Sequence, residues 1–400
     1  MLRFLTAGES HGPSLVAILE GLPAGLSFDL ERINAQLRRR QQGYGRGRRM
    51  AIESDQAEVL SGIRYGRTTG APVALLVRNK DWVHWQATMS AAEADRQLAE
   101  RPPVKRPRPG HADLSGALKY GHRDLRDVLE RASARETAAR VAVGSMARQL
   151  LSAFGIDVAS HVIAIGPVAL ENGEQVAFER VRDLPQDSAL RCVDAAVAQR
   201  MLEEIDRAKA AGDTVGGVFE VIAHEVPPGL GSYVQWDRKL DGRLAQAIMS
   251  IPAVKAVGIG MGARTASTWG SGVHDSILPL PPQGRSGTRP VARGSNRAGG
   301  LEGGVTNGED VRVTGYMKPI ATLMKPLPSV DLDTLEAAPA VIERSDVCAV
   351  PAAGVVAESM LCLVLADAFV EKFGGDSFDE MSRNYEAFTR DLAQRFGVPR

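Results

Sequence analysis

Cysteine is scarce in this chain: three residues in 400, at positions 192, 348 and 362. Three thiols so far apart make neither a disulfide framework nor a zinc site, and their scarcity suits a reducing cytoplasm. Cys348 and Cys362 sit among apolar neighbours and read as small hydrophobes. Net charge is missing too, because 48 basic residues balance 48 acidic ones. No global field draws the chain to nucleic acid or to an anionic membrane, so any such binding must be local. No run approaches 18 apolar residues, so no membrane span is expected. Glu9 and His11 come before any long apolar run, so no signal peptide is expected either. What the chain does have is a 44% hydrophobic content, enough for a large core and, by length, for two or three domains.

The richest stretch is residues 106–142. A Pro109-Gly110 corner precedes His111, and Ser133-Ala134-Arg135-Glu136 reads as a capping box ahead of an alanine-rich pattern. That predicts a helix from about Ser133 through Phe154, stopped by Gly155. Its free N–H groups, with Arg131 and Arg135 beside them, make a seat for a phosphate or carboxylate, and His111 is a candidate proton donor. An ordinary capped helix with surface arginines is the alternative.

Earlier in the chain, Gly8-Glu9-Ser10-His11-Gly12-Pro13 is a glycine-bounded turn leading into a buried strand over 14–19. His11, in a tight loop at a strand end, is placed for chemistry, although a single histidine is more often structural. The turn over 21–26 leads to a helix capped near Ser27 or Asp29, with Leu30, Ile33 and Leu37 on one face and Gly43 past its end. Arg38, Arg39, Arg40, Arg46, Arg48 and Arg49 then crowd together with no acid among them. Glycines at 43, 45 and 47 predict a mobile loop over about 38–49 whose guanidinium groups close on an anion. A solvated charge run and an arginine-glycine tract for RNA are the other readings, with Tyr44 the one aromatic inside the tract.

Further strands are expected over 59–63, 72–77, 158–165, 216–223 and 311–317. Helices are expected over 194–211, through Leu240, Leu244 and Ile248, and over 354–373, the last largely buried. An amphipathic tail follows from about 377. Trp82, His84 and Trp85 read as packing or an interface. Residues 265–297 have little periodicity and predict a flexible lid. The glycine loop 299–308 permits close backbone approach to a flat or phosphorylated ligand without matching a dinucleotide fingerprint or a P-loop. Arg344 and Asp346, two apart in a strand-like segment, share a face as a base and its anion partner would, or as a structural ion pair. The order strand, Pro, Gly-Leu, helix recurs from residue 216 as it stands from residue 14, so an internal duplication or a reused turn chemistry is expected.

Three of these stretches, in this order, resemble one family. Gly8-Glu9-Ser10-His11-Gly12 with Glu20, Gly21 and Pro23 is similar to the first signature of chorismate synthases. Glu130-Arg131-Ala132-Ser133-Ala134-Arg135-Glu136-Thr137 is similar to the second, and Arg344-Ser345-Asp346 through Ala357-Glu358-Ser359-Met360 to the third. Arg106-Pro107-Arg108-Pro109-Gly110-His111-Ala112-Asp113 and the loop 299–308 match as well. The resemblance implies a single α+β unit, a layered sandwich with central helices between two antiparallel β-sheets, assembled as a cytoplasmic homotetramer. It also implies the last step of the shikimate pathway, the 1,4-anti elimination of phosphate from 5-enolpyruvylshikimate 3-phosphate to give chorismate. Reduced FMN is needed without net redox change, and its electrons come from NADPH or a separate flavin reductase.

Carried onto this sequence, the resemblance makes His11 the acid that protonates the departing phosphate, and places His111 near the flavin's carbonyl end. Asp346 assists proton removal by way of the flavin. Ser10, Arg49, Arg135 and Arg344 hold substrate. Flavin contacts fall on Arg131, Ala132, Ser133, Pro252, Ala253, Gly303, Lys318, Pro319, Ile320, Ala321, Thr322 and Arg344, and pyridine-nucleotide contacts on Arg40 and Arg46. Relatives usually carry Asn or Gln at position 252. Pro252 has neither an N–H nor an amide, so it can give only a carbonyl or apolar contact there.

Overall fold

The computed structural model describes residues 1–47, 54–171, 173–280, 289–343 and 345–396. In chain order the elements are β1 (Arg3–Ala7), β2 (Ser14–Glu20), α1 (Leu30–Gln41), β3 (Ala57–Ser61), β4 (Ile63–Arg64), β5 (Arg67–Thr68), β6 (Val73–Arg78), α2 (Asp113–Tyr120), α3 (Arg126–Leu129) and α4 (Thr137–Ser152). The second half continues with β7 (Asp157–Ile165), β8 (Val168–Ala169), α5 (Phe178–Arg182), α6 (Ala195–Ala210), β9 (Gly217–His224), α7 (Leu240–Met249), β10 (Val254–Ile259), α8 (Gly270–Val273), β11 (Ile277–Pro279) and β12 (Val291–Arg293). Then come β13 (Leu301–Glu302), β14 (Val305–Thr306), β15 (Val311–Met317), β16 (Pro328–Val330), β17 (Ala337–Pro339), α9 (Val350–Phe373) and α10 (Phe378–Arg395).

Alternation builds the sheets. In β2, Leu15, Ala17 and Leu19 are buried while Ile18 and Glu20 face out, the pattern of an antiparallel strand with one wet face. In β9, Phe219, Val221 and Ala223 join the main core, and Ile222 on the other face meets Phe178 and Val181 of α5. Two sheets result, ordered β1-β2-β6-β3 and β10-β15-β9-β7-β8, with every pair antiparallel. Between them lies a helical layer, α1 and α4 against the first sheet, α7 and α9 against the second. This is the expected α+β sandwich.

The two central helices, α4 and α9, run side by side in the same direction. A Cβ on Gly144 would come within 2.4 Å of the Ser359 Cβ, so only glycine lets the backbones touch there. Ten residues further along each chain, Phe154 meets Phe369 with ring centroids 4.5 Å apart. Helix α9 is long and apolar enough to cross a bilayer, yet most of it is buried inside the protein as a core helix. Glu358 interrupts its apolar run and is held by Arg39 and Arg148 at 2.7 Å each.

The two halves repeat one another. The orders β1-β2-β6-β3 and β7-β9-β15-β10 correspond strand for strand, with α1 matching α7 and α4 matching α9 in chain order. The turns agree atom for atom. Thr68 Oγ1 accepts from the Leu26 N–H at 2.9 Å and donates to the Pro23 carbonyl at 2.6 Å. Thr306 Oγ1 accepts from the Leu230 N–H at 2.8 Å and donates to the Pro227 carbonyl at 2.7 Å. The reused order at residues 14 and 216 therefore reflects duplicated architecture as well as similar turn chemistry.

Two loop expectations change. Helix α1 continues through Gln41, so Arg38, Arg39 and Arg40 are its last turn, where basic side chains suit the carbonyl end, and not part of a loop. Within 265–297 the described residues form a turn of 3₁₀ helix, α8 and the β11–β12 hairpin. Asp275 joins the two ends of this segment by accepting the N–H groups of Arg297 and Ala298, both at 2.9 Å; residues 281–288 of the expected lid lie outside the described residues.

Candidate active site

Four helix ends meet at one side of the helical layer. The starts of α4 and α9 bring Ser133, Ala134, Arg135 and Ser345, Asp346, Ala349, and the ends of α1 and α7 bring Arg40, Arg46, Gly47 and Pro252, Ala253. Together with His11, Trp85 and the 108–112 and 317–322 segments they line a cavity of about 500 Å³, within the usual range for a ligand site. Among the described residues, six Lys or Arg side chains border it (Arg40, Arg46, Arg101, Arg108, Arg135 and Lys318), against two carboxylates, Glu343 and Asp346.

Each imidazole is held by a buried carboxylate. His11 Nδ1 lies 2.9 Å and 3.0 Å from the Glu130 oxygens, and the His11 backbone N–H donates to the same carboxylate at 2.8 Å. The His11 ring stacks on Trp85 at 3.8 Å. His111 Nδ1 lies 2.6 Å from Asp113 Oδ1, and Asp113 also takes two bonds from the Arg108 guanidinium. Burial pushes the Asp113 carboxyl upward, but the hydrogen bonds from His111 and Arg108 outweigh it and hold the group well below the usual carboxylate range. A carboxylate facing Nδ1 favours a proton there; for His11 that leaves Nε2 for a ligand, whereas the Arg108 guanidinium lies 3.4 Å from His111 Nε2.

Asp55 is the counter-charge of the arginine wall. Its oxygens lie 2.5 Å from Arg135 and 3.0 Å from Arg40, all three groups being buried. Burial raises the Asp55 pKa, but the two guanidinium groups win and lower it; burial lowers that of Arg40 against the pull of Asp55. Arg135 also donates to Asn79 Oδ1 at 2.8 Å, and the Asn79 amide donates to the carbonyls of Glu9 and Gly12, so the histidine turn and the α4 start form one rigid piece. Ser10 completes it, donating to Ser133 Oγ at 3.0 Å. Ser133 caps its helix by accepting from the Arg135 N–H, whereas Glu136 of the expected capping box pairs with Arg140 at 2.9 Å.

On the facing wall, Asp346 accepts from the Gly47 N–H at 2.6 Å and pairs with Arg46 at 2.9 Å. Lys318 donates to the Gly110 carbonyl at 2.8 Å, and burial, with Lys255 nearby, lowers its pKa. Ala253 has φ +69°, a left-handed conformation that costs a residue with a Cβ energy. Its carbonyl accepts from the Lys318 N–H, so Pro252 and Ala253 are held as an apolar wall.

The structure thus brings together most of the residues expected from the sequence: Ser10, His11, Arg40, Arg46, His111, Ala132, Ser133, Arg135, Pro252, Ala253, Lys318, Ile320, Ala321, Thr322 and Asp346 all line the cavity. Arg49 and Arg344 lie outside the described residues. Pro319 sits between two lining residues without lining the cavity itself. Arg131 is exposed, and its guanidinium donates to the carbonyls of Gly8 and Thr6. Gly303 is at the tip of the β13–β14 hairpin, next to the start of α7, while Pro252 follows its end. Ten helical residues, about 15 Å, separate the two, so one chain does not bring Gly303 to the cavity.

Sequence reading missed Glu130, Asp113, Trp85, Asn79, Asp55, Arg101 and Arg108. The signals for Arg108 and Asp113 were available, three before and two after His111. Glu130 could not be linked to His11 across 119 residues. Among the described residues, the arginine tract is also not the surface stripe an RNA would need. Arg39 and Arg40 are buried on carboxylates, and Arg38 pairs with Glu31 on the surface.

A layered α+β fold with a cation-lined cavity and two carboxylate-held imidazoles defines an enzyme acting on a small polyanion. The chorismate synthase family model matches residues 2–370. The chain is 56% identical over 394 residues to the chorismate synthase of Koribacter versatilis, covering 98% of this chain and 99% of that one. It is 54% identical over 391 residues to that of Brevibacillus brevis, covering 97% and 99%. A crystal structure of chorismate synthase superposes with a TM-score of 0.78 at 43% identity, covering 98% of each chain. The chain belongs to the chorismate synthase family, the lyases of the final step of the shikimate pathway.

Proposed function

We propose that this cavity converts 5-enolpyruvylshikimate 3-phosphate to chorismate by a 1,4-anti elimination. The carbon–oxygen bond to phosphate breaks with its electron pair leaving on the phosphate, a ring hydrogen is lost, and a second ring double bond forms. The observation that carries the reading is convergence. His11, His111 and Asp346, far apart in sequence, border one cavity where, among the described residues, six cations exceed the four carboxylates that line or back it, Glu343, Asp346, Asp55 and Asp113. A substrate with one phosphate and two carboxylates needs such a surplus, and in a cavity shielded from water those charges act more strongly than in solution.

Within this reading His11 Nε2 delivers a proton to the departing phosphate, since Nδ1 is committed to Glu130. Arg135 and Arg40, braced by Asp55, and Ser10 hold the anion. Arg46 faces them from the opposite wall, paired with Asp346. Both Arg40 and Arg46 are occupied by carboxylates, which favours a place in the anion cage over a pyridine-nucleotide site. Asp346, with its carboxylate at the cavity edge, takes part in removal of the ring proton.

The residues present fit a flavin. Leu129, Ala132, Pro252, Ala253, Met317, Ile320 and Ala321 offer an apolar wall, with His111, Lys318 and Thr322 as polar contacts at its border. Bound there, reduced FMN supplies electron density to the bond that breaks and recovers it, so that the reaction has no net redox change. A cytoplasmic homotetramer, with the flavin reduced by NADPH or by a separate reductase, completes the proposal. Anaerobic mixing with photoreduced FMN and substrate, with phosphate release followed, tests it. His11→Ala is expected to slow turnover about 10²–10⁴-fold with flavin affinity unchanged, and a near-normal rate would remove His11 from the mechanism.

A further inference from the structure

Glu130 does more than occupy the motif in which it lies. It is 2% exposed, and it grips residue 11 twice, at the backbone N–H and at Nδ1. The Ser10 N–H adds a third tie by donating to the Glu130 carbonyl at 2.9 Å. Arg126 lies 3.6 Å from the carboxylate, longer than a direct hydrogen bond. The Trp85 ring lies 3.8 Å from His11 and 3.9 Å from the Arg101 guanidinium. Two groups that close to one ring centroid cannot share a face, so Trp85 is sandwiched between them. His11 therefore has its ring plane set by Trp85 and its in-plane rotation set by Glu130.

We propose that Glu130 is the positioning residue of the phosphate-expelling acid. By accepting the Nδ1 proton it fixes the tautomer and the ring direction, so that the transferable proton resides on Nε2 and points into the cavity. The proposal rests on the reading of His11 as that acid. Glu130 acts only through His11 and touches neither substrate nor cofactor, which matches the physical role of a carboxylate behind a catalytic imidazole. Isosteric loss of its charge lets the amide present either an oxygen or an NH₂ to Nδ1, and the NH₂ selects the wrong tautomer.

The experiment compares Glu130→Gln, Glu130→Asp, His11→Ala and the Glu130→Gln/His11→Ala double variant in anaerobic phosphate release. Alongside it, ¹⁵N resonances of selectively labelled histidine report the His11 tautomer in the unsubstituted enzyme. Glu130→Gln is expected to lower kcat about 10²–10⁴-fold while KM stays within about threefold. Glu130→Asp should recover at least about tenfold of that loss, and the double variant should be no slower than His11→Ala. The labelled ring should carry its proton on Nδ1 when neutral.

Full turnover in Glu130→Gln beside a slow His11→Ala overturns the proposal alone, as do additive losses in the double variant or a neutral ring protonated on Nε2. Full turnover in His11→Ala instead overturns the reading of His11, whatever the tautomer proves to be. If Glu130→Gln does not fold, the wild-type tautomer and the Asp variant decide. A neutral ring protonated on Nε2, or an Asp variant whose loss adds to that of His11→Ala, overturns the proposal.

Discussion

Asp55 offers a sharp test of how the cavity is built. It faces two guanidinium groups, at 2.5 Å on Arg135 and 3.0 Å on Arg40, and the side chains are 0%, 2% and 3% exposed respectively. Asp55→Asn keeps the shape and removes the charge. Two buried cations then lose the counter-ion they share, and breaking a buried pair from one side costs about 3–5 kcal/mol. Against a typical folding stability of about 5–15 kcal/mol that loss is large, and it should appear as a clear fall in the urea midpoint followed by circular dichroism. Glu31→Gln breaks the Arg38–Glu31 pair, whose side chains are 52% and 68% exposed, and serves as the control with no resolvable change expected. Inorganic phosphate should restore part of the loss in Asp55→Asn, because an anion bound only to the folded form stabilises it, by about 2.7 kcal/mol at a hundred times its Kd. An unchanged midpoint in Asp55→Asn would refute the assignment of Asp55 as counter-charge. A loss that phosphate leaves untouched would refute the claim that those cations face the cavity.

Acid should act through the same carboxylates. In Glu358, Asp55 and Asp113 burial raises the pKa but neighbouring arginines, and for Asp113 the His111 hydrogen bond, bring it below the ordinary value. A depressed folded-state pKa contributes stability that is present above the unfolded value, about 4, and is lost as pH falls through the folded value. Urea midpoints should thus hold steady from about pH 7 to pH 5 and fall steeply below about pH 4, and a profile flat to pH 3 would contradict the ion-pair assignments. The duplicated turns predict a matched pair: Thr68→Val and Thr306→Val each strand one buried N–H and one carbonyl, and each should lose about 1–3 kcal/mol. Values that differ by more than the smaller of the two would show that the turns are alike in form only.

Much of the fold was legible because it rests on local rules. Asp29 caps α1 as its position before the apolar stripe requires, Asp194 caps α6, and Ser377 caps α10. The strands alternate or run apolar as their burial dictates. What could not be read was whatever depends on residues distant in sequence. The arginine tract looked like one feature, yet Arg39 turns to Glu358, Arg40 to Asp55 and Arg46 to Asp346, three partners that no spacing reveals. Trp85 read as packing, which it is, but the surface it packs on is His11. The 3.6-residue period could not disclose that α9 is enclosed by the second sheet and by α1, α4 and α7.

Two copies of one arrangement would, taken separately, give two chambers, one in each copy. The shared direction of α4 and α9 removes that option. Their starts open onto the same chamber, and their far ends are sealed by Phe154, Phe369 and Tyr385 of the C-terminal helix. Each copy therefore supplies one side of a common room: the first brings the imidazoles, and the second brings Asp346 and most of the apolar wall. Neither copy holds a spare for what the other loses, so the halves have had to diverge in residue while staying alike in backbone.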